Sequence, residues 1–441
     1  MTFAWNWWPL PIQRSYSTQD TLLYTASIQA LASSGRYSPF WLQTNRHGSI
    51  ASAPYSGNLT VGIYKPATSP QRWFDYDFAL SITGQLQSSN QIAFSKVNRT
   101  LSAYSNLAYA HIRLYLIDIT AGIQPVQWGS PDCELTSGGL LFSSNAHPMP
   151  KVSVGIDRWT AFPGLYGYVE IRGGISNMWM MDNVYVEKVM IHHKWIGGKI
   201  GGKFPINLSY EFHHAAQWGG FSPVYGDLGN NWNAFVNALF VRSGGSMVTD
   251  QINAQGNHIG SQILTLDIKG NKWKVSAYWQ NIFEDGPIKF IGFGMNTPDG
   301  LWGINITQRH WPFISGLTYE FIQTTDQSGS FHDKDGFIFG GNDNYYRNSI
   351  YQNGWNYWYR TIGTPFITSP IYNVEGTIYT LNNRVKAHFF GIKGDIYGYK
   401  YRVVCSHADN HGTYNKPLRS NNTAILIECS KHVEKAWGLD F

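Results

Sequence analysis

The chain has 441 residues, a formal net charge of +5, and only 14% charged residues against 16% aromatics, with 18 Trp, 27 Tyr and 45 Gly. A soluble domain carries roughly 25% charged residues, so the balance suits a surface that meets lipid on one side and water on the other. No stretch approaches the roughly 18 apolar residues of a membrane helix, and no long Lys/Arg run marks a nucleic-acid partner. A membrane-spanning reading therefore needs strands, because only helices and closed barrels satisfy every backbone group in lipid.

The opening MTFAWNWWPLPIQRSY has no basic start, apolar core and small-residue cleavage site, so residues 1–20 are left unassigned and the export signal of a membrane barrel is expected upstream or already removed. From Tyr24 to Ala30 apolar and polar residues alternate. Near residue 80, Tyr76, Phe78, Leu80 and Ile82 share one face while Asp77, Ala79, Ser81 and Thr83 share the other. The same two-residue period covers Ile112 to Leu116, Gly167 to Arg172, Ile206 to Phe212, Gln262 to Lys269, Lys272 to Gln280, Trp302 to Thr307, Leu317 to Ile322 and Arg384 to Gly391. Many of these runs approach the length of a tilted membrane-spanning strand, about 9–11 residues. About 16–18 strands are expected, in one antiparallel barrel over residues 21–441.

Gly270-Asn271 and Gly394-Asp395 are the expected tight hairpins. The long connections are His213 to Gln255, with a short helix over Asn231 to Val241, and Thr324 to Trp358. Short helical loop elements are expected to plug or cap the lumen. Trp73, Trp195, Trp279 and Tyr397 are candidates for membrane-interface girdles. The charged face carrying Lys272, Lys274, Arg384 and Lys386 is expected to point inward. Neither a Pro/Ser linker nor a blade-length repeat divides the chain into soluble β-domains or a propeller. Cys133, Cys405 and Cys429 make no disulfide framework; three unrelated thiols are expected, although Cys405 and Cys429 lie on neighbouring segments.

Three blocks, in order, resemble the Wzi family of capsule-assembly proteins in its Bacteroidetes-type form. They are SPFWLQTNRHGSIA (38–51), QPVQWGSPDCELTSGGLLFSSNAHPMPKVSVGI (124–156) and YEFHHAAQWGG (210–220). The resemblance runs from about residue 20 to the C-terminus. It implies a barrel of about 18 strands in the outer membrane of a Gram-negative bacterium, with short helical elements, that organises surface polysaccharide without catalysis. The helical bundle that accompanies the barrel in enterobacterial members has no counterpart in this sequence.

Saccharide binding needs aromatic faces for sugar C–H surfaces and polar groups for hydroxyls, with cations where the polymer is acidic. The blocks supply Trp41, Asn45, Arg46 and His47; Gln127, Trp128 and Asp132; Arg158 and Trp159; and His213, His214, Gln217 and Trp218. The competing reading is that these side chains fill the lumen and satisfy its buried polar groups. Adjacent His213 and His214 on a strand point to opposite faces, and no further ligands stand at metal spacing, so no metal or other cofactor is expected. Asp227, Glu284, Asp285, Asp299, Asp333 and Asp335 select no glycosidase pair. Hydrolase G-x-S-x-G and Walker A signatures are absent, so no enzymatic activity is expected. A passive porin or transport barrel is the runner-up, separable by an open lumen.

Overall fold

The computed structural model describes residues 21–69, 72–88, 93–94, 98–126, 128–242, 255–284, 296, 298–329, 332–334 and 337–431. Seventeen strands form one sheet: β1 (Leu23–Ala32), β2 (Tyr55–Lys65), β3 (Phe74–Gln87), β4 (Leu101–Tyr104), β5 (Ala108–Leu114), β6 (Ile117–Ile123), β7 (Pro150–Ala161), β8 (Val169–Trp179), β9 (Met190–Ile200), β10 (Ile206–Trp218), β11 (Asn257–Lys269), β12 (Trp273–Glu284), β13 (Gly300–Gln308), β14 (Gly316–Gln323), β15 (Val385–Ile396), β16 (Tyr399–Gly412) and β17 (Pro417–Lys431). All pairings are antiparallel. Strands β4 and β5 lie end to end along β3, pairing with Thr83–Leu86 and Phe74–Leu80 respectively, so the seventeen strands make sixteen columns. Every column pairs with the next in sequence. Among the described residues no ladder joins β1 to β17.

The polarity of the wall is inverted relative to a water-soluble sheet. On β3, Asp75, Asp77, Ser81, Thr83, Gln85 and Gln87 are buried while Phe74, Tyr76, Leu80, Ile82 and Leu86 are exposed. On the first and last strands Ile28 is 86% exposed and Ile427 is 72% exposed. Water would penalise that outer face at roughly 25 cal/mol per Å², and hydrocarbon removes the penalty. The connections sort the same way. The connections after β2, β5, β7, β9, β11, β13 and β15 are short and leave from one end; those after β1, β3, β6, β8, β10, β12 and β14 leave from the other and are longer, while 413–416, after β16, is a short turn at that second end. Short turns at one end and long loops at the other are the membrane-barrel pattern.

The connections 33–54, 128–149 and 341–384 fold inward. Helix α1 (Phe40–Gln43), Leu135, Leu140, Phe142, Trp355 and Phe366 pack with wall residues Ile282, Leu301, Ile322, Phe389 and Val404 in one core. Each fully buried aliphatic side chain in it contributes roughly 1.5–3 kcal/mol. The segment 33–54 touches both ends of the sheet: Asn58 Nδ2 of β2 donates to the Ser49 carbonyl at 2.8 Å, and Arg46 ion-pairs with Glu428 of β17. The sheet therefore wraps around its plug.

Several expectations are corrected. Gly394 and Asp395 lie inside β15; the turn is Tyr397-Gly398, where both φ values are positive (54° and 81°), as a type I′ hairpin requires. The Asp395 carboxylate accepts from the Gly398 N–H at 2.8 Å and so fixes that turn. Lys386 points outward, because Val385, Ala387 and Phe389 are drawn inward by the apolar plug. Arg384 sits at the rim over the Tyr414 ring, 4.0 Å away. Of the expected girdle residues, Tyr397 is 98% exposed and Trp73 is exposed, but Trp195 faces the lumen. The short helix expected over Asn231 to Val241 forms as α2 (Trp232–Phe240), yet it lies against the outside of the wall rather than in the lumen. The three cysteines are free; Cys405 stands opposite Ile425 and Cys429 opposite Tyr401.

Candidate functional site

The first block places its residues in the plug. Asn45 and His47 both take φ of 52° and lead into Gly48, where a Cβ would come within 2.5 Å of the His147 ring. This left-handed run turns the chain back under the wall. Trp41 Nε1 donates to Ser406 Oγ at 2.9 Å, and Arg46 shares Glu428 with Arg402. Burial lowers His47 and His147 to a pKa of about 3, so both are neutral parts of the packing at neutral pH. His147 Nδ1 hydrogen-bonds to Asn106 Oδ1 at 2.8 Å.

The second block splits. Asp132 pairs with Lys393 of β15 at 2.8 Å, and Lys393 also holds Glu134 at 2.6 Å. Two residues on, Glu320 of β14 accepts from Thr136 Oγ1 (2.9 Å), the Ser137 N–H (2.6 Å), Ser137 Oγ and Tyr278 OH (2.5 Å). These contacts latch the loop to the β12–β15 wall. Gln127 lies outside the described residues. Trp128, by contrast, turns toward the β7–β9 wall and lines a cavity of about 510 Å³.

That cavity is built around Arg172. Its Nε donates to Glu211 Oε2 at 2.7 Å, with a second bond from Nη2. The pair reaches across β9 over Gly197, which stands opposite both Arg172 and Glu211; a Cβ there would meet Glu211 Cγ at 2.8 Å and Trp159 at 3.0 Å. The Arg172 guanidinium lies 4.7 Å from the Trp159 ring centroid and 5.2 Å from that of Trp128. Arg158 and Trp159 sit on a register shift between Ile156 and Thr160, where β7 carries extra residues against β8. Such bulges re-aim side chains that a regular strand would alternate.

Trp195 completes the aromatic wall, 5.4 Å from Trp128 and stacked on His193 at 5.1 Å. Its indole N–H is buried and has no acceptor among the described residues. Lys151, Arg158 and Asp157 also line the cavity. Cys133 does too, but burial beside Asp132 and Glu134 raises its thiol to about 11, leaving it protonated at neutral pH.

From the third block, His213 faces inward, 4.8 Å from Trp128, and bonds His193 Nε2 through its Nδ1 at 3.2 Å. Gln217 faces inward but is committed to the plug: its Nε2 donates to the Gly354 carbonyl at 3.1 Å, and its Oε1 accepts from Asn257 at 2.7 Å. His214 and Trp218 face outward beneath α2, His214 against His258 and Trp218 in the small core under the helix. So Trp128, Arg158, Trp159 and His213 come together; Trp41, Arg46 and Asp132 pack elsewhere in the lumen; His214 and Trp218 are on the other face.

Sequence reading missed Arg172, Trp195 and Lys151. The run from Gly167 to Arg172 was legible as a strand, and its end-placed Arg with an inward register was the available signal. Among the described residues, no group of three His, Cys, Asp or Glu is placed to hold a metal ion.

No protein-family description and no curated protein sequence matches this chain. Among solved structures, it is similar to Wzi of Escherichia coli, described as an outer-membrane protein involved in group 1 capsule assembly and a carbohydrate-binding β-barrel. Identity is 15%, the TM-score is 0.47, and the match covers 94% of this chain and 85% of Wzi. It is also similar to a loop-deleted form of OmpT, an outer-membrane protein of Vibrio cholerae (8% identity, 92% and 95% covered, TM-score 0.36). A third is OccK7 (OpdD) of Pseudomonas aeruginosa (10% identity, 92% and 85% covered, TM-score 0.36).

Proposed function

We propose that this protein is a non-catalytic barrel of the bacterial outer membrane that binds an acidic surface polysaccharide in its lumen and helps to hold or assemble it at the cell surface. The observation that carries the reading is the cavity on the β7–β9 wall, lined by Trp128, Trp195, Arg172, Arg158 and Lys151, with the Arg172 guanidinium beside the rings of both Trp128 and Trp159. Indole faces suit the C–H surface of a pyranose, and guanidinium groups suit sugar carboxylates through paired N–H donors. The Trp195 N–H, which has no acceptor among the described residues, offers a further donor to a hydroxyl. The apolar outer face and the sorting of short and long loops support the membrane setting. The plug argues against a passive pore, because the aromatic and aliphatic residues of 124–149 and 341–384 fill the upper lumen.

The test is deletion in the native host together with binding by the purified protein. The expected result is loss of surface-attached polymer and measurable affinity for it. Normal surface polymer with no affinity would overturn the reading and leave the fold untouched. In planar bilayers the protein is expected to pass no large steady current; such a current would favour the porin reading.

A further inference from the structure

Helix α2 is a feature that the lumen does not explain. Ala234 and Ala238 pack on Ala216 and Trp218. Phe235 meets His192 edge-on at 5.4 Å, and Lys194 Nζ donates to the Leu239 carbonyl. His192, Lys194, Ala216 and Trp218 alternate with the lumen-lining His193, Trp195, Ala215 and Gln217, so the helix covers the outer wall. Its N-terminus, capped by Asn231 Oδ1 accepting from the Ala234 N–H at 2.9 Å, is at the long-loop rim. Its C-terminus reaches down the wall to Lys194.

Two further stripes follow from the helical period. Trp232, Val236 and Phe240, spaced by four, form an apolar stripe with Trp232 73% and Phe240 60% exposed. Asn233 and Asn237, also spaced by four, form an amide stripe. With Asn231, Gln255 and Asp227 they line a hollow of about 230 Å³ at the rim. Among the described residues, none that lines it is cationic.

We propose that α2 and this hollow bind a glycolipid of the outer leaflet, with a neutral sugar head in the amide hollow and acyl chain along Trp232, Val236 and Phe240. Amide side chains both donate and accept, which matches sugar hydroxyls; a phosphate head would be met by Arg or Lys. The apolar stripe continues the exposed face of the same wall, where Ile196, Ile200, Ile206 and Leu208 are exposed. The site rests on the lipid-facing reading of the wall but not on the lumenal cavity, and it would survive the failure of polysaccharide binding there.

The test uses the full chain in nanodiscs of phosphatidylcholine doped with monogalactosyl diacylglycerol or, separately, phosphatidylglycerol, with bound lipid read by native mass spectrometry. Galactolipid is expected to be retained over both phospholipids. Retention should drop about tenfold, about 1.4 kcal/mol, in the double variant Asn233→Ala/Asn237→Ala, which removes two hydrogen-bonding groups. Retention of Asn233→Gln should fall less, and heat-resistant migration on gels reports that each variant is folded. Equal retention of phosphatidylglycerol would overturn the sugar-head assignment. Retention no better than phosphatidylcholine, or unchanged in the folded double variant, would overturn the site.

Discussion

Arg402 and Arg172 stand on opposite walls of the lumen, and each donates through Nε to a glutamate at 2.7 Å, Glu428 for the first and Glu211 for the second. Around Arg402 the plug closes in: its Nη1 donates to the Glu134 carbonyl at 2.8 Å, and Glu428 also takes Arg46 from the first block. Around Arg172 the plug stands off, presenting Trp128 across a cavity. The same ion pair is mortar on one wall and the floor of a site on the other. What differs is the neighbour, not the residue type.

That contrast yields graded tests. The largest effect is expected from acid, which attacks the packed side. His47 and His147 have pKa values near 3 in the folded protein against 6.5 unfolded, so the unfolded state binds more protons between those values and stability falls as pH drops below 6.5. Burial raises the Asp299 carboxyl to about 6 from 3.8, so it contributes in the opposite sense over a narrower window. The net loss between pH 7 and 4 is expected to be on the order of several kcal/mol. Hydrogen exchange of residues 40–52 and 143–147 should accelerate while the strands stay protected; unchanged exchange at pH 4 would remove the histidines from the packing account.

Next is Glu320→Ala, which leaves the Thr136, Ser137 and Tyr278 donors buried without their acceptor. A cost of about 3 kcal/mol is expected, seen as loss of exchange protection over 134–140 and as intermittent bilayer current. Silence in both assays would mean that this latch does not hold the plug.

On the open wall, Arg172→Ala should weaken binding of an acidic polysaccharide at least tenfold, about 1.4 kcal/mol, and should also lower the melting temperature, because buried Glu211 loses its partner. Arg172→Lys should recover only part, because an ammonium keeps the charge but loses the planar contact with two indoles. Equal binding by Ala and Lys variants would show that stacking, not charge, dominates. The smallest effect belongs to neither wall. Tyr397→Asn at the I′ turn should change stability by less than about 0.5 kcal/mol and in the favourable direction, since Asn tolerates φ near +54° better than Tyr.

Much of the wall was legible because one physical rule governs it: side chains alternate, and one face must be apolar. Tyr76 to Thr83 and Trp273 to Gln280 fall on the faces that rule assigns, while Lys272 sits exposed in the turn before its strand. The rule failed where the interior was not uniformly polar. Val385, Ala387 and Phe389 face inward because the plug beside them is apolar, and nothing local to that strand announces the plug. It failed again at Gly394-Asp395, since Tyr397-Gly398 offers a turn with no proline, Asn or Asp at its first position.

The candidate site was legible in residue type but not in partition. Trp41 and Trp128 carry the same chemistry, and only the folding of distant loops buries the first against Ser406 and Phe389 while exposing the second to a cavity. The bulge that aims Arg158 and Trp159 depends on how many residues β8 offers opposite them, a pairing fact that no single strand contains.

The most direct measurement of the central claim is a titration of the purified protein with acidic surface-polysaccharide fragments, comparing wild type, Trp128→Ala and Arg402→Gln. Saturable binding that Trp128→Ala weakens at least tenfold, about 1.4 kcal/mol, and that a folded Arg402→Gln variant retains, is the predicted result. Binding lost equally in both, or unaffected by Trp128→Ala, would contradict a receptor site on the β7–β9 wall.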